Sequence, residues 1–229
     1  MSSWNKSDRG WARRTSAVAL GMLAMHVSAF ATSPELSQVR VSTITPEAEH
    51  GKILYLKSCA RCHGGRAWGD GPRAIPALAG QREYYLIEQL TDFATGRRSG
   101  ESMHETMRRP DLNWPQAVRD LAAYLAQAEK SPAPEYDEGH DLAAGRRVYA
   151  EWCTACHGSD GEGKEGTVPA IGGQQYRYVL LQLENFLAGR RAQHGEMSVL
   201  RPASGLSQQQ QRDVSNYVSH LGYLTAPRY

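Results

Sequence analysis

Two copies of one pentapeptide constrain this chain more than anything else in it: Cys59-Ala60-Arg61-Cys62-His63 and Cys153-Thr154-Ala155-Cys156-His157. Both read C-x-x-C-H, the attachment pattern of a c-type haem. Two sulfurs add across the two vinyl groups of the macrocycle, and the two-residue spacer sets their reach. The adjoining histidine supplies one axial ligand to the iron. Cys59, Cys62, Cys153 and Cys156 are the four cysteines of the chain, so no thiol is left for a disulfide or a nucleophile. A redox dithiol needs only C-x-x-C, and a four-cysteine zinc site needs only two such pairs. Neither calls for a histidine directly after the second cysteine, which here occurs twice. Two covalently bound haem c groups are therefore expected, with His63 and His157 as axial ligands.

The motifs belong to a longer repeat, seen on sliding the 229-residue chain by 93 or 94 positions. Gly51 and Tyr55 match Gly145 and Tyr149. Pro76, Gly80 and Gln81 match Pro169, Gly173 and Gln174. Tyr85, Gln89, Leu90 and Phe93 match Tyr178, Gln182, Leu183 and Phe186. Gly96-Arg97-Arg98 matches Gly189-Arg190-Arg191, and Tyr124 matches Tyr217. Each half reads as one haem domain, 47–129 and 139–229. Residues 130–138, with Pro132 and Pro134, form a short semi-stiff linker.

Within each half the pattern is helical. Helices over Glu47–Ala60 and Asp141–Ala155 lead into the motifs. Leu86, Leu90 and Phe93 recur at i, i+4, i+7, as do Val179, Leu183 and Phe186. Gly96 and Gly189 stand where a C-cap glycine is expected. The last helices run over Pro115–Ala128 and Ser207–Leu221, with Asn113 or Trp114 capping the first and Ser207 the second. No alternating apolar run argues for a sheet, so the predicted class is all-α, a few helices around one haem in each half.

Residues 1–31 read as a signal peptide. Arg9, Arg13 and Arg14 precede an apolar stretch, and Ala29-Phe30-Ala31 fits a cleavage site, giving a mature start at Thr32. The apolar run is shorter than the ~20 residues that span a bilayer. Residues 32–46 form a lead-in. Cleavage removes Lys6, Arg9, Arg13, Arg14 and Asp8, so the formal charge of +2 becomes about −1. That balance gives no argument for nucleic acid.

The second axial ligand decides the chemistry. A methionine thioether closes the iron and raises its potential, and a histidine lowers it. Met197 lies nine residues before Leu206, and Met103 lies nine before the matching Leu112. Met103 and Met197 are the expected ligands, in loops that fold over the haem, with Met107 as the alternative to Met103. His104 and His194 share these loops without matching in register and read as surface residues. His50, His140 and His220 read as solvated. The two Gly-Arg-Arg turns read as solvated helix caps; the alternatives are docking to an acidic partner or a place near haem propionates.

Taken together, the residues resemble a known family, the dihaem cytochromes c of the cytochrome c4 type. The resemblance covers the whole mature chain. It rests on the two C-x-x-C-H motifs and on Pro76-Ala-Leu-Ala-Gly-Gln81 with its partner Pro169-Ala-Ile-Gly-Gly-Gln174. The Tyr-x(3)-Gln-Leu helices, the Gly-Arg-Arg turns and the loop methionines add to it. It implies tandem class I cytochrome c domains related by a pseudo-twofold axis, soluble in the periplasm after signal cleavage. It further implies an electron carrier and not an enzyme, working by outer-sphere transfer between respiratory-chain partners. The donor would be a quinol-oxidising complex or a dehydrogenase, and the acceptor a terminal oxidase. Any membrane association would run through those partners. The resemblance also implies that the carbonyls of Pro76 and Pro169 accept the Nδ1–H of the ligating histidines, and that Gln81, Tyr85, Gln174 and Tyr178 lie near the haems. Arg108-Arg-Pro-Asp-Leu-Asn-Trp-Pro115 departs from the family pattern. One alternative is a haem-bearing, electron-accepting subunit of a larger dehydrogenase, such as a flavocytochrome c sulfide dehydrogenase. Another is a small dihaem peroxidase, which needs an open iron beside an acid–base residue; Met103 and Met197 argue against it.

Overall fold

The structure is a computed structural model that describes residues 45–132, 140–164, 166, 168–191 and 205–223. The expected signal peptide, most of the lead-in, most of the linker, His194 and Met197 lie outside these residues. Among the described residues the chain forms nine helices, and the strand content is one isolated bridge, Asp70 to Ile75. No helix there is long and apolar enough to cross a membrane.

The first half contains α1 (Ala48–Ser58), α2 (Ala60–His63), α3 (Glu83–Thr95), α4 (Glu101–Met107) and α5 (Pro115–Gln127). The second contains α6 (Leu142–Trp152), α7 (Thr154–His157), α8 (Tyr176–Leu187) and α9 (Gln208–His220). The helices expected over Glu47–Ala60 and Asp141–Ala155 end at Ser58 and Trp152, directly before the first cysteine of each motif. Cys59 sits at φ −115° and Cys153 at φ −116°, between α1 and α2 and between α6 and α7. The Cys59 amide still bonds the Tyr55 carbonyl, while its own carbonyl accepts from Cys62 and His63. One residue thus closes one helix and opens a single tight turn that carries the rest of the motif.

Local chemistry explains most of the other boundaries. Gly96 ends α3 at φ 74°, in the left-handed region that glycine enters at no steric cost. Asp141 caps α6 by accepting from Ala143 and Ala144. Ser207 and Gln210 form a capping box on α9. In the first half Trp114 occupies the N-cap of α5 without a side-chain cap, and Pro115 fills the first helical position, where its missing N–H costs nothing. Asn113 donates instead to the Arg108 carbonyl. Replacing Ser207 with alanine is expected to lower stability by about 1 kcal/mol in thermal denaturation. The same change at Asn113 should cost about 0.5 kcal/mol or less.

Helix α4 differs from expectation, since residues 101–107 read as loop. Two turns of Glu-Ser-Met-His-Glu-Thr-Met are too short to show a period. What holds them is tertiary: His104 Nδ1 donates to the Phe93 carbonyl at 2.6 Å, tying α4 to the end of α3. His104 is therefore a half-buried bracket and not a surface loop residue. The other histidines expected in solvent are also engaged. His50 Nδ1 lies 2.6 Å from Asp120 Oδ2, His140 Nε2 lies 2.9 Å from the Tyr176 hydroxyl, and His220 Nδ1 lies 2.8 Å from the Asn216 carbonyl.

In each half the first helix crosses the last. α1 lies across α5 with Gly51 against the Asp120 carbonyl, and α6 lies across α9 with Gly145 against the Asp213 carbonyl. Beside these crossings Tyr55 packs on Tyr124 and Tyr149 on Tyr217, each pair with centroids 5.5 Å apart. The tyrosine hydroxyls reach down to the Gly64 and Gly158 carbonyls just past the motifs. The first core adds Leu86, Leu90, Phe93, Met107, Leu121 and Leu125. The second, built on Val148, Val214, Val218 and Leu221, is smaller among the described residues.

Candidate haem sites

His63 ends α2 and His157 ends α7, and both side chains are buried. His63 Nδ1 lies 3.0 Å from the Pro76 carbonyl oxygen, and His157 Nδ1 lies 3.1 Å from that of Pro169. A carbonyl can only accept, so the proton sits on Nδ1 and the lone pair on Nε2. Burial pushes both imidazoles below their ordinary pKa, and the carbonyl bond offsets part of that. A neutral ring with its proton tied at Nδ1 is the form a metal ligand needs.

Cys59 and Cys153 are half-buried, while Cys62 and Cys156 are exposed. Burial pushes the Cys59 thiol up to about 11 and the Cys153 thiol up to about 12. A redox dithiol works through a lowered thiol pKa, so these environments point the other way. The two C-x-x-C pairs lie in different halves, and the described residues contain no group of three His, Cys, Asp or Glu able to hold a metal ion. The donor set instead suits a covalently attached haem in each half: two sulfurs at vinyl spacing beside a neutral, oriented imidazole.

Met103 and Met107 lie one turn apart on the same face of α4. Met107 is enclosed on all sides at 0% exposure, whereas Met103 is partly open at the margin of the core. A sulfur that must meet an iron cannot be wrapped by protein, which favours Met103. Met197 lies outside the described residues.

The arginine pairs divide. Arg97 and Arg190 are exposed. Arg98 and Arg191, expected as solvated caps, are instead buried and bind across the two halves. Arg98 donates to Gln89 of its own half at 2.7 Å and to the Tyr178 hydroxyl of the other at 2.7 Å. Arg191 donates to Gln182 of its own half at 2.7 Å and to the Tyr85 hydroxyl of the other at 2.8 Å. Each guanidinium stacks on the phenylalanine of its own half, Arg98 on Phe93 and Arg191 on Phe186. Burial alone would raise the Tyr178 phenol, but the charges of Arg98 and Arg191 outweigh it and hold the pKa below the ordinary value. Every contact has its mate at the position 93 residues on, as a pseudo-twofold axis requires.

Gln81 and Gln174 also lie on this seam. Gln81 exchanges two hydrogen bonds with Ala170, at 2.7 and 2.8 Å. Gln174 exchanges two with Ala77, at 2.8 and 2.9 Å. Sequence reasoning placed Gln81, Tyr85, Gln174 and Tyr178 near the haems and missed that they join the halves. The available signal was polar identity held in register in the turns before α3 and α8 and along those helices, whose other outward positions differ.

The family model for cytochrome c matches this chain twice, over residues 48–129 and 142–222. Cytochrome c4 of Azotobacter vinelandii is 31% identical over 179 residues, covering 71% of this chain and 84% of that one. A thiosulfate dehydrogenase electron acceptor of Stutzerimonas stutzeri is 27% identical, covering 77% and 88%. The crystal structure of reduced recombinant cytochrome c4 from Pseudomonas stutzeri superposes with a TM-score of 0.67 at 28% identity, over 77% of this chain and 100% of that one.

Proposed function

Because the chain belongs to the cytochrome c family, in the two-domain cytochrome c4 form with two covalently bound haem c groups, we propose that it carries electrons between redox proteins of the periplasm. The pairing of each buried histidine with a proline carbonyl, beside two cysteines on one turn, supports this most directly.

Bound in each half, a haem c supplies an iron that takes up or gives up one electron. Cys59 and Cys62 in the first half, and Cys153 and Cys156 in the second, would hold the macrocycle through thioethers. His63 and His157 would bind the iron through Nε2, since the Pro76 and Pro169 carbonyls keep the imidazole proton on Nδ1. Met103 and Met197 would each offer a thioether sulfur as the second protein ligand. Two protein ligands for each iron would suit electron transfer with little rearrangement and would leave no place for a substrate. Residues 1–31 direct export, and the haem domains span 47–129 and 139–229.

The relative named as a thiosulfate dehydrogenase electron acceptor favours a second reading of the partner. On that reading the donor is a dehydrogenase that docks against this chain, in place of a quinol-oxidising complex. The two differ in the partner and not in the chemistry of the sites.

A pyridine haemochrome count with a near-infrared scan of the oxidised protein tests the site. Two haems per chain are expected, with a weak methionine–iron charge-transfer band. Changing Cys153 and Cys156 to serine should leave one haem. Met103→Leu should remove about half of the band, since it empties one of two methionine positions, while Met107→Leu should keep the band and cost stability through core packing. A single haem in the unmodified protein, or a band untouched by Met103→Leu, would overturn the assignment.

A further inference from the structure

We infer that each axial histidine is positioned by a glutamine of the opposite half, Gln174 acting on His63 and Gln81 acting on His157. The inference rests on the haem reading above and concerns how the two reduction potentials are set.

The linkage passes through one peptide group on each side. The carbonyl that accepts from His63 belongs to Pro76, and the N–H of that same peptide unit belongs to Ala77. That N–H donates to Gln174 Oε1 at 2.8 Å. In the mirror position, the Pro169 carbonyl accepts from His157, and the Ala170 N–H donates to Gln81 Oε1 at 2.8 Å. Each glutamine also returns a bond through Nε2 to the carbonyl of the alanine it holds. The side chain therefore grips both backbone groups of one residue.

The grip is built and oriented. Gln81 and Gln174 are 8% and 9% exposed. Their Oε1 atoms accept a second N–H each, from Arg82 and from Gln175. An oxygen taking two N–H donors leaves no doubt over which end of the amide faces the peptide.

A peptide whose N–H is engaged by a good acceptor has a more negative carbonyl oxygen, because successive hydrogen bonds polarise one another. The Nδ1–H of the histidine is then held more strongly and the imidazole becomes a more basic ligand. A more basic ligand favours the ferric state. Each haem's potential therefore depends on a side chain from the other domain, and docking of the two halves is part of the tuning.

The test is spectroelectrochemical titration of the holoprotein, with the two haems told apart by NMR signals of their ligand methionines. In Gln81→Met the ferrous-to-ferric ratio of the second haem at a fixed potential should rise about threefold to tenfold, tenfold being 59 mV for one electron. The first haem should stay where it is. Gln174→Met should do the reverse. Gln81→Glu keeps an oxygen at the same place and should bring the second haem back to or below its original potential. It remains available if the methionine variant folds poorly. A purely structural role would not reverse sign between methionine and glutamate. A shift confined to the haem of the same half, an equal shift in both, or no shift in a folded two-haem variant overturns the inference. An unmodified protein that lacks two haems would instead remove the reading beneath it.

Discussion

Gly51→Ala is expected to cost the first half about 3 kcal/mol, and Gly145→Ala the same in the second. The added methyl group at residue 51 would land on the Asp120 carbonyl and its carbon, with the Leu121 nitrogen 2.9 Å away. These are backbone atoms of α5, which cannot rotate aside as a side chain can. To admit the methyl, α1 and α5 must separate. That separation also loosens the buried Asp120 carboxylate, which holds the α1 entrance by accepting from the Glu47 amide at 2.7 Å and meets His50 at 2.6 Å. In domains of this size about 3 kcal/mol is a fall of roughly 15 °C in Tm. Gly65→Ala provides the control, since a methyl there meets nothing within 4 Å. A shift of only a few degrees at Gly51 would show that the helix crossing has more room than its backbone distances allow.

The second large effect concerns the seam. Arg98→Met or Arg191→Met should each destabilise the protein by about 3 kcal/mol. Each change removes a buried guanidinium whose charge-assisted bonds tie a glutamine of its own half to a tyrosine of the other. Arg190→Met, one residue from Arg191, loses an exposed bond to Asn185 and should cost about 0.5 kcal/mol or less. Denaturant unfolding of the three variants separates the buried from the exposed arginine. The tyrosines provide a second readout. Tyr178 should ionise below the ordinary phenol range in the unmodified protein, because the arginine charges favour its anion. Tyr55 and Tyr149, pushed up chiefly by burial, should ionise last. Replacing Arg98 should move the early-titrating tyrosine upward and leave the late pair unchanged. If the ultraviolet titration shows no early tyrosine, the Arg98–Tyr178 contact does not persist in solution.

What the sequence revealed and what it hid divide by range. The motifs, the all-α class and the two-fold repeat are local patterns, and Ser207 announced its helix through chemistry within three residues. Helix α4 escaped because a two-turn segment has no period to read, and because its anchor, the Phe93 carbonyl, lies eleven residues from His104. The break at Cys59 escaped because the pattern on either side is equally helical. The seam was the hardest to see. Gln81 finds its partner 89 residues away, and a buried arginine beside an exposed one looks like any charged helix end. Only the recurrence of Gln81, Gln89 and Arg98 as Gln174, Gln182 and Arg191 set these residues apart from ordinary surface. His50, which has alanine at the corresponding position, 144, carried no such mark.

The seam is self-complementary: what Arg98 does to one side Arg191 does to the other, and the two glutamines trade places in the same way. A surface of that kind does not require the linker. Two separate copies of either half, each presenting the same glutamine, tyrosine and arginine, could meet through an isologous contact. Joining the halves in one chain therefore adds no new kind of interface. It removes the need for both sides to stay alike, so one domain can change its outer face without imposing that change on its neighbour. The chain has used that freedom, carrying Ile53, Leu56 and Trp114 outside its first domain where the second has Arg147, Ala150 and Ser207.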